Sequence, residues 1–558
     1  MQNKRTLIKV AWSLPVWLMA IIVMIPIVVI FFSWLHPQTE VWQHLIETQL
    51  SYLLKNTVIL MVGVGVWTLV LGVSLAWLVA MCEFPGRRWL EWMLILPLAM
   101  PAYVYAFVML GIMDFSGPVQ TVYRELFGTQ AYFPYMRGTA GVLFVMTSVL
   151  YPYVYLLARS AFISQGRSVL DNARMLGMSS WGSFFKVALP MARPAIAAGV
   201  ALALMETLAD FGAVSIFNFD TFTTAVYKSW FGLFNLTAAA QLASLLLLFI
   251  GLGLYAEQHF RRGKVHQNPY QHERYLLSGA KAWSVSFYCS VVVFLTFVVP
   301  LVQLLVWISE LESGFLDQRF LELIANTLLI GLLAALIIVC VALLVVFGRR
   351  MLGHKQNSLW LRLASMGYAF PGTILAVGVM IPFAFIDREL WQPLANIFGI
   401  ESEQLLLGSL GGLLLAYLIR FFSVALGPIS TSMERIKPVY QHVSQTLGVT
   451  QWPMIRRVYM PMMSTGILTA LLLVLVDVMK EMPATLLLRP FGSETLAVRI
   501  YELTSEGEWE RAALPALVLV VLSIFPVILM IRRTSVRRSN SASLREANTQ
   551  DGEKVVYD

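Results

Sequence analysis

The chain has 558 residues, of which 58% are hydrophobic and only 13% charged, with a net charge of +8 at neutral pH. This composition excludes a water-soluble globule. It leaves room for about a dozen membrane spans of ~20 residues, with no soluble domain of ordinary size between them. The positive excess, which in a soluble chain would suggest nucleic acid, has to be read loop by loop.

Lys4, Arg5 and Lys9 precede an apolar run over 14–35, too long for a signal-peptide core and without a clear small-residue cleavage site, so it reads as a retained first span. Further runs fall at 56–80, 89–111, 140–162, 194–215 and 237–256. Six more follow at 284–308, 326–348, 362–386, 404–428, 464–488 and 512–531. With the N-terminus in the cytosol, basic clusters fall on that side: Arg87/Arg88, Arg174 with Lys186, Arg349/Arg350 and Arg456/Arg457. Acids such as Glu40, Glu47, Glu310, Asp317 and Glu502 to Glu510 fall on the other. That is the expected positive-inside bias, with both termini cytosolic. Cys82, Cys289 and Cys340 lie in or beside apolar runs without the spacing of a zinc site or a disulfide framework, so they read as packing residues.

One polar segment interrupts this pattern and occurs twice. Residues 171–190, DNARMLGMSSWGSFFKVALP, recur as 442–461, HVSQTLGVTQWPMIRRVYMP, at an offset of 271 that superposes Gly177 on Gly448, Trp181 on Trp452 and Pro190 on Pro461. Asp171, Ala173, Met175 and Leu176 are expected to form the first turns of a short amphipathic helix with the acid at its N-terminus. Gly177 then allows a turn, and a second helical stretch is expected to end at Pro190. So short a helix needs a partner groove, or else lies on the lipid surface.

The duplication reaches further. Asn56-Thr57 matches Asn326-Thr327, and Ala99-Met100-Pro101 matches Ala369-Phe370-Pro371, at an offset of 270. Six spans per unit is an even number, so the two units run the same way through the membrane, and both 171–190 and 442–461 face the cytosol. The expected organisation is a first unit over 1–257, a cytosolic linker over 258–283, a second unit over 284–532 and a polar tail over 533–558.

Spans five and eleven carry acids that lipid-facing helices do not tolerate. Glu206 and Asp210 share a helix face, and the offset of 271 places Asp477 and Glu481 on them. Each costs about 2.5–3.5 kcal/mol at a helix centre, so four acids require a wet cavity or partner cations. They line a pathway favouring cations, or they form architectural ion pairs with Lys480 and outer-face arginines such as Arg489. Beyond these spans, Asp220 with Tyr227 matches Glu494 with Tyr501, each tyrosine seven residues after its acid. These residues read as an outer rim that docks a partner, or as an interfacial aromatic belt.

The two-copy loop resembles the EAA loop of ABC-importer permeases. ADFGAVSIF (209–217) and KEMPATLLLRP (480–490) are similar to the ferric-iron branch of the binding-protein-dependent permeases. The resemblance implies an all-α polytopic membrane protein of the type I importer kind, with twelve transmembrane helices in two parallel six-helix repeats, in a bacterial inner membrane. It further implies two copies of a cytosolic ABC ATPase, received at Asp171, Ala173, Gly177, Leu189 and Pro190 and at His442, Gly448, Met460 and Pro461. A periplasmic binding protein would deliver the cargo, with Glu206, Asp210, Asp477 and Glu481 along its path. The head of the motif departs from Glu-Ala-Ala, reading Asp171-Asn172-Ala173 and His442-Val443-Ser444. The second copy therefore lacks the acid.

No phosphate-binding lysine loop occurs: GRRMLGHK over 348–355 has His354 where lysine belongs. Asp210-Phe211-Gly212 lacks the other kinase elements, and no HExxH or Ser/His/Asp grouping is found. The chain itself is thus expected not to be an enzyme and to carry no cofactor, with ATP and Mg on its partners and any metal ligands unknown. The expected cargo is ferric iron, with thiamine, an aminophosphonate or a polyamine as alternatives on the same architecture. A proton-coupled secondary transporter using the four acids as a relay is the rival mechanism.

Overall fold

The computed structural model describes residues 2–128, 133, 136–165, 167–260, 274–311, 317–352, 358–399 and 404–526. The tail over 533–558 and the middle of the linker, 261–273, lie outside the described residues. Among the described residues, eleven helices are long and apolar enough to cross a membrane, or twelve when Leu359–Ala369 and Gly372–Phe398 count as one broken span. The protein is a polytopic all-α membrane protein. Among the described residues the rest of the regular structure is shorter helices, such as Thr39–Thr48 and Phe222–Phe231, and a pair of two-residue strands, Cys82–Glu83 and Tyr275–Leu276.

Two runs expected to be continuous are broken at repeat-related prolines. The run over 89–111 passes from a 3-10 turn, Leu96–Ala99, through extended Met100 (ψ 121°) and Pro101 before the helix Ala102–Met113 begins. The ninth run does the same at Phe370 (ψ 124°) and Pro371, bending by 115°. Proline pushes its predecessor out of the helical region and lacks an N–H, so both units break at the same point. The fifth and eleventh spans also end earlier than expected. Ser180–Ala209 stops at Asp210 and Gln451–Lys480 stops at Glu481, instead of continuing to 215 and 488.

The first span of each unit packs on the other unit. Val16, Met19, Ala20 and Val23 share a core with Ile330, Ala334, Ile338 and Val379. Reciprocally, Ala282, Cys289, Val292 and Val293 share one with Val73, Ala76, Tyr151 and Tyr155. Lipid is as apolar as leucine, so close backbone approach rather than water exclusion holds such helices. Gly378 fits against Pro26 and Gly111 against Trp307 so tightly that a Cβ would lie 2.9 and 2.6 Å away.

Candidate functional site

The two copies of the duplicated loop fold alike. Helices Arg167–Met175 and Pro438–Thr446 are each closed by a glycine in the left-handed region, Gly177 at φ +83° and Gly448 at φ +75°. Past the glycine, Met178 N donates to Ala173 O (3.2 Å) and Val449 N donates to Ser444 O (3.0 Å). This is the six-residue glycine cap, which satisfies carbonyls that the helix end would otherwise leave open. Ala173 and Ser444, equivalent in the repeat, are the buried members of the motif head. Apolar residues are left outside in matched pairs: Leu176 is 83% and Leu447 75% exposed, Trp181 74% and Trp452 71%.

Two expectations about these loops are corrected. Asp171 is not at a helix N-terminus: the helix starts at Arg167, and the Asp171 carboxylate accepts a hydrogen bond from the Tyr275 hydroxyl at 3.1 Å. Nor does Pro190 end its helix. A wide π turn, Phe184–Ala188, precedes it, and Ile455–Tyr459 likewise precedes Pro461. The loosened hydrogen-bond ladder accommodates proline's missing N–H. Helix therefore runs from Ser180 to Ala209 and from Gln451 to Lys480. Leu189 is partly buried at the start of this continuation, whereas Met460, Pro461 and His442 are exposed.

At the far end of these two helices the structure brings the four acids together. Glu206 lies within electrostatic reach of Asp210, Asp477 and Glu481. Asp210 and Glu481 terminate their helices and perform the same backbone task. The Asp210 carboxylate accepts from Val214 N (3.1 Å) and the Glu481 carboxylate from Ala484 N (3.1 Å), each starting the next short helix. Glu206 accepts from the Tyr368 hydroxyl at 2.7 Å, joining the first unit to the broken ninth span of the second. In the opposite sense, Lys480 Nζ donates to Leu98 O at 2.8 Å, joining the second unit to the break in the first. Leu98 and Tyr368 are repeat equivalents at offset 270. Asp477 lies within electrostatic reach of Lys480 and of Tyr153.

The cation that pairs with Glu481 is not Lys480 or Arg489 but Arg420, whose Nε lies 3.0 Å from Glu481 Oε2 and whose Nη1 donates to Phe370 O at 2.7 Å. Arg489 instead pairs with Glu502 (2.7 Å) and Glu494 (3.8 Å). Arg420 was legible in principle: a lone arginine in the apolar run over 404–428 carries the same signal as the acids. Tyr153 and Tyr368 carry none, because tyrosines are common in spans. Among the described residues, no three His, Cys, Asp or Glu side chains gather into a metal cage.

The outer residues are held in a partly symmetric frame. Asp220 pairs with Lys228 at 2.6 Å and its carbonyl accepts from Asn56 Nδ2 at 2.9 Å. In the second unit Thr327 Oγ1 accepts from Leu496 N at 2.9 Å, so the start of spans two and eight anchors this segment both times. Tyr227 and Tyr501 flank the same ring, Phe211, at 4.9 and 5.5 Å between centroids. Tyr501 also hydrogen-bonds Ser215 at 3.2 Å across the two units. Both tyrosines are partly buried, and both pack at the junction of the two units.

Residues 68–262 match the family described as the binding-protein-dependent transport system inner membrane component. The chain is 28% identical over 534 residues to the Fe(3+)-transport system permease protein FbpB 2 of Haemophilus influenzae, a match covering 92% of this chain and 98% of that one. It is also 32% identical over 151 residues to the molybdenum transport system permease protein ModB of Escherichia coli, covering 27% of this chain and 64% of the relative. A third similarity, 31% over 198 residues, is to the sulfate transport system permease protein CysW of Escherichia coli, covering 35% and 66%. These relatives are permease subunits of transporters. The family match in the first half, the end-to-end similarity to a transport permease and the internal repeat together support a fused permease of a binding-protein-dependent ABC importer.

Proposed function

We propose that this permease carries ferric iron from a periplasmic binding protein into the cytosol of a bacterium, driven by two copies of an ABC ATPase docked on its two loops. The observation that carries the cargo is the end-to-end match to a relative named for Fe(3+) transport, where the molybdenum and sulfate relatives match 27% and 35% of the chain. Four acids gathered between the units support a cationic cargo, since a carboxylate-lined constriction lowers the cost of passing positive charge. ATP and Mg would belong to the ATPase subunits, and the basic-residue bias supports a cytosolic side for both loops and both termini.

The geometry supports a mechanical link. Trp181 and Glu206 share one helix, as do Trp452 and Asp477, so each loop is rigidly joined to the acid cluster about 40 Å away at ~1.5 Å per residue. ATPase closure would bring the exposed ridges around Leu176 and Leu447 together. The same motion would act on the Glu206–Tyr368 and Lys480–Leu98 hydrogen bonds, which join the units across the path. Asp220, Glu494 and the Tyr227/Tyr501 frame would form the outer rim that receives the binding protein.

A second reading, an oxyanion cargo, is favoured by Arg420 and Lys480 standing among the acids and by the molybdenum and sulfate relatives. The deciding experiment is uptake of radiolabelled ferric iron by vesicles holding the chain, its ATPase and the binding protein, with and without ATP. ATP-dependent iron uptake is the expected result. ATP-driven uptake of molybdate, sulfate, thiamine, an aminophosphonate or a polyamine in its place overturns the cargo. Uptake driven by a proton gradient alone overturns the coupling.

A further inference from the structure

We infer that Tyr275, on the segment joining the two units, is a positioning residue for the first coupling loop, strapping the helix Arg167–Met175 to the cytosolic base of the first unit. The inference rests on the coupling reading above. Tyr275–Leu276 pairs in parallel with Cys82–Glu83, the residues that leave the second span, and Leu277 N extends the pairing to Glu83 O at 3.1 Å. From that strand the tyrosine grips two residues on one face of the coupling helix. Its hydroxyl donates to Asp171 Oδ1 at 3.1 Å, and the Arg174 guanidinium lies 4.5 Å from its ring centroid. Residues three apart share a helix face, so one side chain fixes both the position and the rotation of the helix.

A pair of two-residue strands is marginal alone. Here it is fastened by a chain of ion pairs. Arg274 lies 3.6 Å from Glu83, Glu83 2.9 Å from Arg87, and Arg87 2.8 Å from Glu91, which also pairs with Arg159 of the fourth span. Arg87 is buried, so these charges are less screened than a surface pair. Ser286, at the base of the seventh span, donates to Pro85 O at 2.9 Å. The strap thus links the first coupling helix, the base of the first unit and the start of the second unit.

The second loop is held differently. At the offset of 271, Asp171 and Arg174 become His442 and Gln445, which offer neither the carboxylate nor the guanidinium. Its flanks are met by Arg350, donating to Ile436 O at 3.0 Å, and by Trp12, donating to Gln451 Oε1 at 3.1 Å. An outward or inward swing of the first loop therefore carries the junction and the seventh span with it. The acid at the motif head serves an internal contact in this chain.

The test uses the full chain with its ATPase and binding protein in proteoliposomes, reading radiolabelled ferric iron moved per ATP hydrolysed, ATPase co-purification, and hydrogen exchange over 167–178. Tyr275→Ala is expected to retain the ATPase, raise exchange in that segment and lower transport per ATP at least threefold. Tyr275→Phe, which keeps the ring over Arg174 and loses the donor, is expected to fall between Tyr275→Ala and the native chain. Unchanged transport per ATP, or unchanged exchange over 167–178, in folded Tyr275→Ala overturns the positioning role. A native chain that neither retains the ATPase nor transports with ATP overturns the coupling reading instead, before any variant is compared.

Discussion

Asp210 and Glu481 hold the same place in the two units, end the same helix and start the next one through the same carboxylate-to-backbone bond. Their surroundings differ. Glu481 has Arg420 at 3.0 Å, and the residue equivalent to Arg420 in the first unit is Val149, at the offset that also superposes Gly141 on Gly412. The neighbouring backbone differs as well. Gly372 lies so close to Glu481 that a Cβ would be 2.3 Å from Oε1, and its counterpart at offset 270 is Ala102, in the unit whose equivalent acid is the shorter Asp210. The duplicated device is the backbone break with its carboxylate cap. Charge compensation around it has diverged, so the second unit carries a tightly built ion pair and the first a partly buried acid without that arginine.

This difference is sharpened most by Arg420→Met. Removing one partner of a buried pair leaves Glu481 uncompensated, and the expected loss is about 3–5 kcal/mol, read as a lowered thermal midpoint of the purified protein. Asp210→Asn, which keeps an acceptor for Val214 N, is expected to cost far less; equal losses would mean that the arginine is incidental. A smaller effect, about 3 kcal/mol, is expected for Gly372→Ala, because the new Cβ collides with a carboxylate that cannot leave its arginine. Adding Glu481→Asp transplants the first unit's shorter acid and should recover part of that loss; strict additivity of the two changes would break the comparison. The smallest effects are expected where the units agree. Gly177→Ala and Gly448→Ala each force a side chain into the left-handed region, at about 1–2 kcal/mol of local stability. Hydrogen exchange over 167–178 and 438–449 should rise similarly, and a one-sided response would show that the matched caps are not equivalent in stability.

Much of this arrangement was legible because the sequence repeats. The offset that matched Gly177 with Gly448 also carried the acids, and an intramembrane carboxylate is too costly to be incidental. The helix breaks were not legible from hydropathy. Residues 89–111 and 362–386 read as continuous apolar runs by hydropathy, and only the prolines at 101 and 371, already aligned by the repeat, marked where the helix must stop. Asp171 was misplaced for a different reason. An acid favours a helix N-terminus in general, but here a tyrosine from a segment 104 residues away supplies its partner. Arg420 was missed although the reasoning applied to the acids covers it. Tyr368 could not have been found, since its role depends on a contact 162 residues distant across the two units.

The reciprocal packing of the first spans has a temporal consequence. Val16 to Val23 leave the ribosome before their neighbours Ile330 to Ile338, which come about 300 residues later. At a synthesis rate of roughly 5–20 residues per second, the first span waits on the order of 15–60 s in the bilayer before its partners exist. For that time its inner face must be acceptable to lipid or held by the insertion machinery, and the core it joins forms only once the second unit is made.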